Sequence, residues 1–258
     1  MSRPTPRRLA LLLGALALVL FGAFAATPVH AAPPGDGGGV ITPDIVGGGY
    51  ATTGRPWIAA LHGNGSFTCT SSQISASWIL TAAHCVPNNS GYSVRIGSLN
   101  RSSGGTVRNV DGVVRHPSFN WPAYDIALLH LSQPFTNTYA PMAKVSGDFA
   151  VNQAATIYGW GSEHADWSGP LPERLKFANG NVSSTSCASS VMPAICTQTD
   201  GSVAGGDSGG PAIVLSPRTG TYLLAGVCAV GHKPAGSGWA AYTPIFRHWT
   251  WIAQTTGL

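Results

Sequence analysis

Charge is what this sequence has least of. Asp, Glu, Lys and Arg make up only 9% of its 258 residues, against about 25% in an ordinary soluble domain. Disorder needs many charges and few apolar residues, and here 44% of residues are apolar. Cationic clusters are missing as well. Arg3, Arg7 and Arg8 sit at the extreme N-terminus, and no Lys/Arg cluster follows, which argues against nucleic acid as a partner. No metal motif occurs, and His30, His62, His116, His130, His164, His232 and His248 match no ligand spacing. After residue 26 no run is apolar and long enough for a bilayer. One lack bears on chemistry directly: beyond Ser208 the chain has no Asp or Glu.

Glycine and proline are plentiful, at 33 and 19 residues. They punctuate short apolar runs, a pattern of strands and turns rather than long helices. The runs fall at 56–62, 67–73, 78–82, 92–97, 106–115, 126–131, 154–159, 211–216, 222–229 and 238–243, with a looser stretch at 132–152. Such spacing suits a barrel or a sandwich, and the length suits one large all-β domain or two small ones. One helix is expected at the C-terminus, with Thr243 as N-cap and Pro244 at the first helical position. Its apolar stripe comprises Ile245, Phe246, Trp249, Ile252 and Ala253.

Residues 1–31 read as a signal peptide: a basic start, an apolar stretch over 9–26, and the small-residue site Val29-His30-Ala31. The Thr27-Pro28 break disfavours a membrane anchor. Residues 32–44 read as a short propeptide without Lys or Arg. The mature protein is therefore expected to be secreted, extracellular and free of the membrane. Export permits disulfides, and Cys69, Cys85, Cys187, Cys196 and Cys228 allow many pairings. Four N-x-[ST] sites occur, at Asn64, Asn88, Asn100 and Asn181.

The segment Gly206-Asp207-Ser208-Gly209-Gly210-Pro211 places a serine among glycines. A serine hydroxyl is a weak nucleophile until a base, an orienting acid and oxyanion donors surround it. The string also fits the nucleophile turn of α/β-hydrolases, which carry the acid and then the histidine after the serine. With no acid beyond Ser208, that order is excluded. The acid and base must precede the serine.

Four strings then stand in a telling order. Ile45-Val46-Gly47-Gly48, Thr81-Ala82-Ala83-His84-Cys85, Asp125-Ile126-Ala127-Leu128-Leu129 and the Ser208 segment are anchored 39, 41 and 83 residues apart. Together they resemble the mature N-terminus and the histidine, aspartate and serine motifs of the chymotrypsin/trypsin family, in its trypsin branch. The resemblance spans residues 45–258. It implies an all-β fold of two six-stranded antiparallel β-barrels with a C-terminal α-helix, the first over 45–140 and the second over 141–258. It also implies a secreted zymogen acting as a serine endopeptidase. His84 would be the base, Asp125 its orienting acid and Ser208 the nucleophile, with the N–H groups of Gly206 and Ser208 as oxyanion hole. Ile45 would supply an α-amino group to Asp207 after activation. Cys69–Cys85 and Cys187–Cys196 would be bridged, leaving Cys228 a free, buried thiol.

The resemblance has departures. Ala204 replaces a cysteine that often pins the serine loop. Ala229-Val230-Gly231 replaces Ser-Trp-Gly on the strand lining the cleft, which removes one hydroxyl and one flat wall. In the substrate pocket Ser202 stands at the base, Gly231 and Ala240 on the walls, and Asp200 nearby could turn the preference basic if it pointed inward. The neutral Ser202 favours apolar or aromatic side chains. No cofactor or metal is expected. The partners implied are protein or peptide substrates, an activating protease and protein inhibitors, with the enzyme a monomer. Two other readings are a catalytically inactive homologue that only binds proteins, and an esterase of the same fold.

Overall fold

The computed structural model describes residue 1, residues 45–187 and residues 194–258. The signal peptide and propeptide lie outside the described residues, as does the Asp44 side of the expected cut. The first barrel consists of β2 (Ile58–Gly63), β3 (Ser66–Gln73), β4 (Trp78–Thr81), β5 (Tyr92–Ile96), β6 (Thr106–Arg115) and β7 (Ala127–Leu131). Its strands run in the order β2-β3-β4-β7-β6-β5 and close through antiparallel pairing of β5 with β2. Closure leaves no unpaired edge. Strand β5 shows why the sequence takes this form: Tyr92, Val94 and Ile96 are buried while Ser93 and Arg95 face outward, the period of two that a half-buried strand requires.

The second barrel contains β8 (Ala154–Gly159), β9 (Lys176–Cys187), β10 (Ala194–Thr199), β11 (Pro211–Leu215), β12 (Tyr222–Gly231) and β13 (Trp239–Pro244). The order β9-β10-β13-β12-β11-β8 closes through β8 on β9. The architecture is thus the expected pair of six-stranded barrels. A short strand β1 (Gly49–Tyr50) adds to β9, and Val46 bridges Ser202. The segment from Val46 to Tyr50 therefore joins the second barrel's sheet, although chain order assigned it to the first, because its backbone groups find their partners there.

Most expected strands appear with their ends moved by one or two residues, and 106–115 and 154–159 coincide with β6 and β8. Strands β9 and β10 had no counterpart among the expected runs. Strand β9 reads KFANGNVSSTSC, rich in residues of low strand propensity, and it forms because β1, β8 and β10 all pair with it.

The helix α1 (Ile245–Thr256) begins one residue later than expected. Pro244 is the extended cap residue, and Thr243 remains in β13. The reason is a competing hydrogen bond: the Thr243 hydroxyl donates to the backbone carbonyl of Asp125 at 3.0 Å. The apolar stripe docks as expected, with Ile245 and Ile252 fully buried and Phe246 against Phe149. The same helix also buries His248, whose ring meets those of His116 and Tyr124. No helix among the described residues is long and apolar enough to cross a membrane.

Disulfides join Cys69 to Cys85 and Cys187 to Cys196, and Cys228 is free. Cys228 packs in a cluster with Ile45, Ile157, Val203 and Tyr242. Burial, with the charges of Asp207 and Asp125, pushes its thiol well above the usual range, and the thiolate is the reactive form. Native protein is expected to resist iodoacetamide and to gain one modified cysteine per chain after denaturation without reductant. Rapid modification of the native protein would contradict this placement.

Candidate active site

His84 sits on a single 3-10 turn, Ala83–Cys85, directly after β4. The Cys69–Cys85 bridge ties that turn to β3. Asp125 precedes β7 and is fully buried. Its carboxylate accepts twice from the histidine: Oδ2 lies 2.6 Å from the imidazole Nδ1, and Oδ1 accepts the His84 backbone N–H at 2.9 Å. This fixes both the ring and its tautomer, leaving Nε2, 3.8 Å from the Cys85 sulfur, as the nitrogen without a proton. The Ala229 departure therefore leaves Asp125 with two hydrogen bonds from the residue it orients. The sulfurs of Cys69 and Cys85 lie close to His84, but they are bonded to each other and offer no thiolate to a metal.

Ser208 lies on the turn between Thr199 and β11, and two elements hold that turn. From the first barrel, the Thr70 N–H donates to Ser208 O at 2.9 Å, and the Thr70 hydroxyl donates to Gly206 O at 3.2 Å. From β12, Cys228 exchanges two backbone bonds of 2.9 Å with Gly209 and Gly210. Among the described residues, neither the Gly206 nor the Ser208 N–H has an internal acceptor. Two uncommitted donors beside a serine are what an oxyanion would use.

Asp207 points away from the cavity and is 1% exposed. Its carboxylate accepts the N–H groups of Gly161 at 2.7 Å and Ala204 at 2.9 Å. It fits tightly: a Cβ on Gly159 or Gly161 would overlap its oxygens. Burial raises its pKa to about 6, against the pull of these two donors and of the Lys176 charge. Ile45 is fully buried in the cluster that contains Val203 and Cys228. Its segment is fixed by the Ser202 N–H, which donates to Val46 O at 2.8 Å.

His84 and Ser208 face one cavity of about 370 Å³. Gly231 lines it as expected, together with Val203, Ala204, Cys228, Ala229 and Val230. Three expected pocket residues do not line it. Ser202 is 3% exposed, and its hydroxyl accepts the N–H groups of Gly236 and Gly238 at 3.0 and 2.7 Å. Ala240 pairs with Gly231 from the neighbouring strand and is buried. Asp200 is exposed and accepts the Asn179 N–H at 2.8 Å. A basic pocket built on Asp200 is therefore corrected: the turn directs its carboxylate to the backbone of β9, away from the cavity. Val203, the next residue, lines the cavity instead of Ser202, and its Cγ2 lies where a Cβ on Gly231 would be. Sequence reasoning also missed Trp121 and Trp167, which line the cavity from two distant loops.

The sequence pattern that defines the trypsin family matches residues 45–252. Trypsin alpha of Drosophila erecta is 34% identical over 222 residues, covering 80% of this chain and 85% of that protein. Trypsin alpha-4 of Lucilia cuprina is 32% identical over 225 residues, with 80% and 86% covered. Among solved structures, mouse neuropsin, a serine protease expressed in the limbic system of the brain, superposes with a TM-score of 0.69 at 26% identity, covering 81% of this chain and 98% of that one.

The buried acid has a consequence in solution. Between its ordinary value of 3.8 and about 6, the folded chain holds a proton on Asp207 that the unfolded chain has released. Its contribution to stability is therefore lost as pH rises through that window. His248 acts in the opposite sense. Burial, with the His116 and Arg247 charges, lowers its pKa from 6.5 to about 4, so stability falls as pH drops through that range. Comparison with Asp207→Asn isolates the first effect. In urea unfolding of the uncut chain, the stability of wild type relative to Asp207→Asn is expected to decline from pH 4 to pH 6. A flat difference would refute the assignment.

Proposed function

The chain belongs to the trypsin family of serine endopeptidases, and on that premise we propose that it is exported, matured by a cut before Ile45, and cleaves peptide bonds through an acyl-enzyme on Ser208. The observation that carries the proposal is the shared cavity. A histidine oriented by a buried acid faces the same space as a serine flanked by two uncommitted N–H groups.

In this reading His84 Nε2 takes the Ser208 proton as Oγ attacks the scissile carbonyl. The oxyanion binds the N–H groups of Gly206 and Ser208. The C–N bond breaks, and the departing amine receives the proton from His84. Water then repeats the sequence against the ester and releases the acid. Asp125 stabilises the imidazolium throughout. An inactive binding homologue would share the fold, but the oriented base and the free donors favour catalysis. An esterase would share those groups too, and the likeness to trypsins is what favours peptides over esters.

Activation follows from the buried Asp207. An ionised carboxylate in an apolar setting needs a cation, and the Ile45 amine released by a cut at Asp44–Ile45 would provide one. Residues 32–44 contain no Lys or Arg. The activating protease is therefore one that cuts after Asp, or that trims stepwise. The Arg-rich start, the apolar stretch and the small-residue site support an extracellular location. Protein inhibitors remain candidate partners of the cleft, and a monomer suffices for the chemistry.

The pocket reading is apolar. Its inner surface is formed by Val203, Ala204, Ala229 and Val230, with no carboxylate among its lining residues. Burying an Arg or Lys there without a partner is costly, so the residue on the acyl side of the cut is apolar, and Val203 limits its size.

Four outcomes test this. Ser208→Ala is expected to fold normally and to lose fluorophosphonate labelling and peptide hydrolysis. Asp125→Asn is expected to lose kcat by about 10⁴, the loss established for this triad. Wild-type enzyme is expected to cleave Leu and Phe amides faster than Arg amides, and its N-terminus is expected to read Ile-Val-Gly-Gly. Activity in Ser208→Ala, faster Arg cleavage, or active material starting elsewhere would each overturn the corresponding claim.

A further inference from the structure

We propose that Trp121 and Trp167 form two aromatic walls of the substrate channel and select peptides with apolar side chains flanking the scissile bond. This deepens the peptidase reading above and rests on it. Both rings line the cavity that holds His84 and Ser208. They arrive from different barrels: Trp121 from the loop between β6 and β7, and Trp167 from the loop between β8 and β9. A peptide passing between the barrels meets an indole on each wall. The strand that carries Ala229, Val230 and Gly231 contributes no ring of its own.

Trp121 is 58% exposed, an aromatic surface left open at the cleft. Trp167 is held differently. Its backbone is left-handed, with φ of 63°, a conformation that a bulky side chain adopts only when its surroundings impose it. The loop that imposes it is well bonded: the Trp167 N–H donates to His164 O at 2.9 Å, and the Ser162 hydroxyl to Ser168 O at 2.7 Å. Two further bonds anchor this loop to the rest of the site. The Ser162 N–H donates to Gly205 O at 2.8 Å, and the Ala235 N–H to Ala165 O at 2.7 Å. The Lys233 ammonium lies 5.6 Å from the Trp167 ring centroid. The buried indole N–H has no acceptor among the described residues, so the ring is not held there for its polar edge. A strained, anchored ring whose donor is unused offers its apolar surface, already in place before substrate arrives, and such preorganisation favours binding.

A competing role is a structural one, since Trp167 also packs beside Gly205, next to the oxyanion donor Gly206. The test separates the two. Processed enzyme is assayed on peptides that share one cleavage residue and carry either Leu/Phe or Ser/Gly on both flanks, and Ser208 is labelled with a small fluorophosphonate. Trp121→Ala and Trp167→Ala are each expected to lose about tenfold in kcat/KM on Leu/Phe-flanked peptides, mainly through KM. Ser/Gly-flanked peptides and the labelling rate are expected to change by less than about twofold. Trp121→Phe and Trp167→Phe are expected to retain most of the preference. Unchanged preference in both Ala variants overturns the proposal. So does a uniform loss on all peptides with slower labelling, which would make Trp167 a prop for the serine loop. Failure of wild-type enzyme to label would instead sink the peptidase reading and take this inference with it.

Discussion

The carboxylate of Asp207 is the constraint around which the second barrel is arranged. It is buried one residue before Ser208, where two backbone N–H groups meet it. Accommodating it requires bare backbone at Gly159 and Gly161, which fixes how β8 ends. The pull of nearby positive charge on it is small, and burial prevails. Lys176, itself fully buried, sits opposite Gly159 across the β8–β9 pairing. Its ammonium is compensated in turn by Glu163 at 3.1 Å, which accepts the Tyr50 hydroxyl at 2.7 Å. Lys176, Glu163 and Tyr50 thus form a bonded series that runs from β9 to β1.

The two barrels also hold each other's chemistry. Thr70, on the first barrel, bonds the turn that carries Ser208, and Thr243, on the second, bonds the backbone of Asp125. Neither hydroxyl or amide reaches a reacting atom. Their effect is to make the distance between His84 and Ser208 a property of the pair of barrels rather than of either loop. The Cys69–Cys85 bridge adds to this from the base side, because β3 carries both Cys69 and Thr70.

Legibility in the sequence followed the range of the forces involved. Runs rich in apolar or β-branched residues, such as β6 and β8, were readable end to end. The candidate catalytic residues could be singled out because His84, Asp125, Asp207 and Ser208 each lie in a short distinctive string. Strand β9 was not, since its Asn, Ser and Gly residues become strand only when three neighbours supply hydrogen bonds. Ser202 was legible as a position but not in its role, because the Gly236 and Gly238 amides that claim its hydroxyl are more than thirty residues away. Trp121 and Trp167 had no local signal at all. An isolated tryptophan in a loop reads the same whether it faces solvent or a cleft. Thr243 was taken for a helix cap because the carbonyl that captures it belongs to the other barrel.

The position of α1 ties a distant part of the chain to the surroundings of Asp125. His248 and Trp251 pack their rings against His116, and His248 also meets Tyr124, the residue beside Asp125. The helix thus backs a loop more than a hundred positions earlier in the sequence. Substitutions on its packed face, far from the cavity, therefore act on the footing of that loop, and a screen for lost function would find them scattered along a segment with no reacting group of its own.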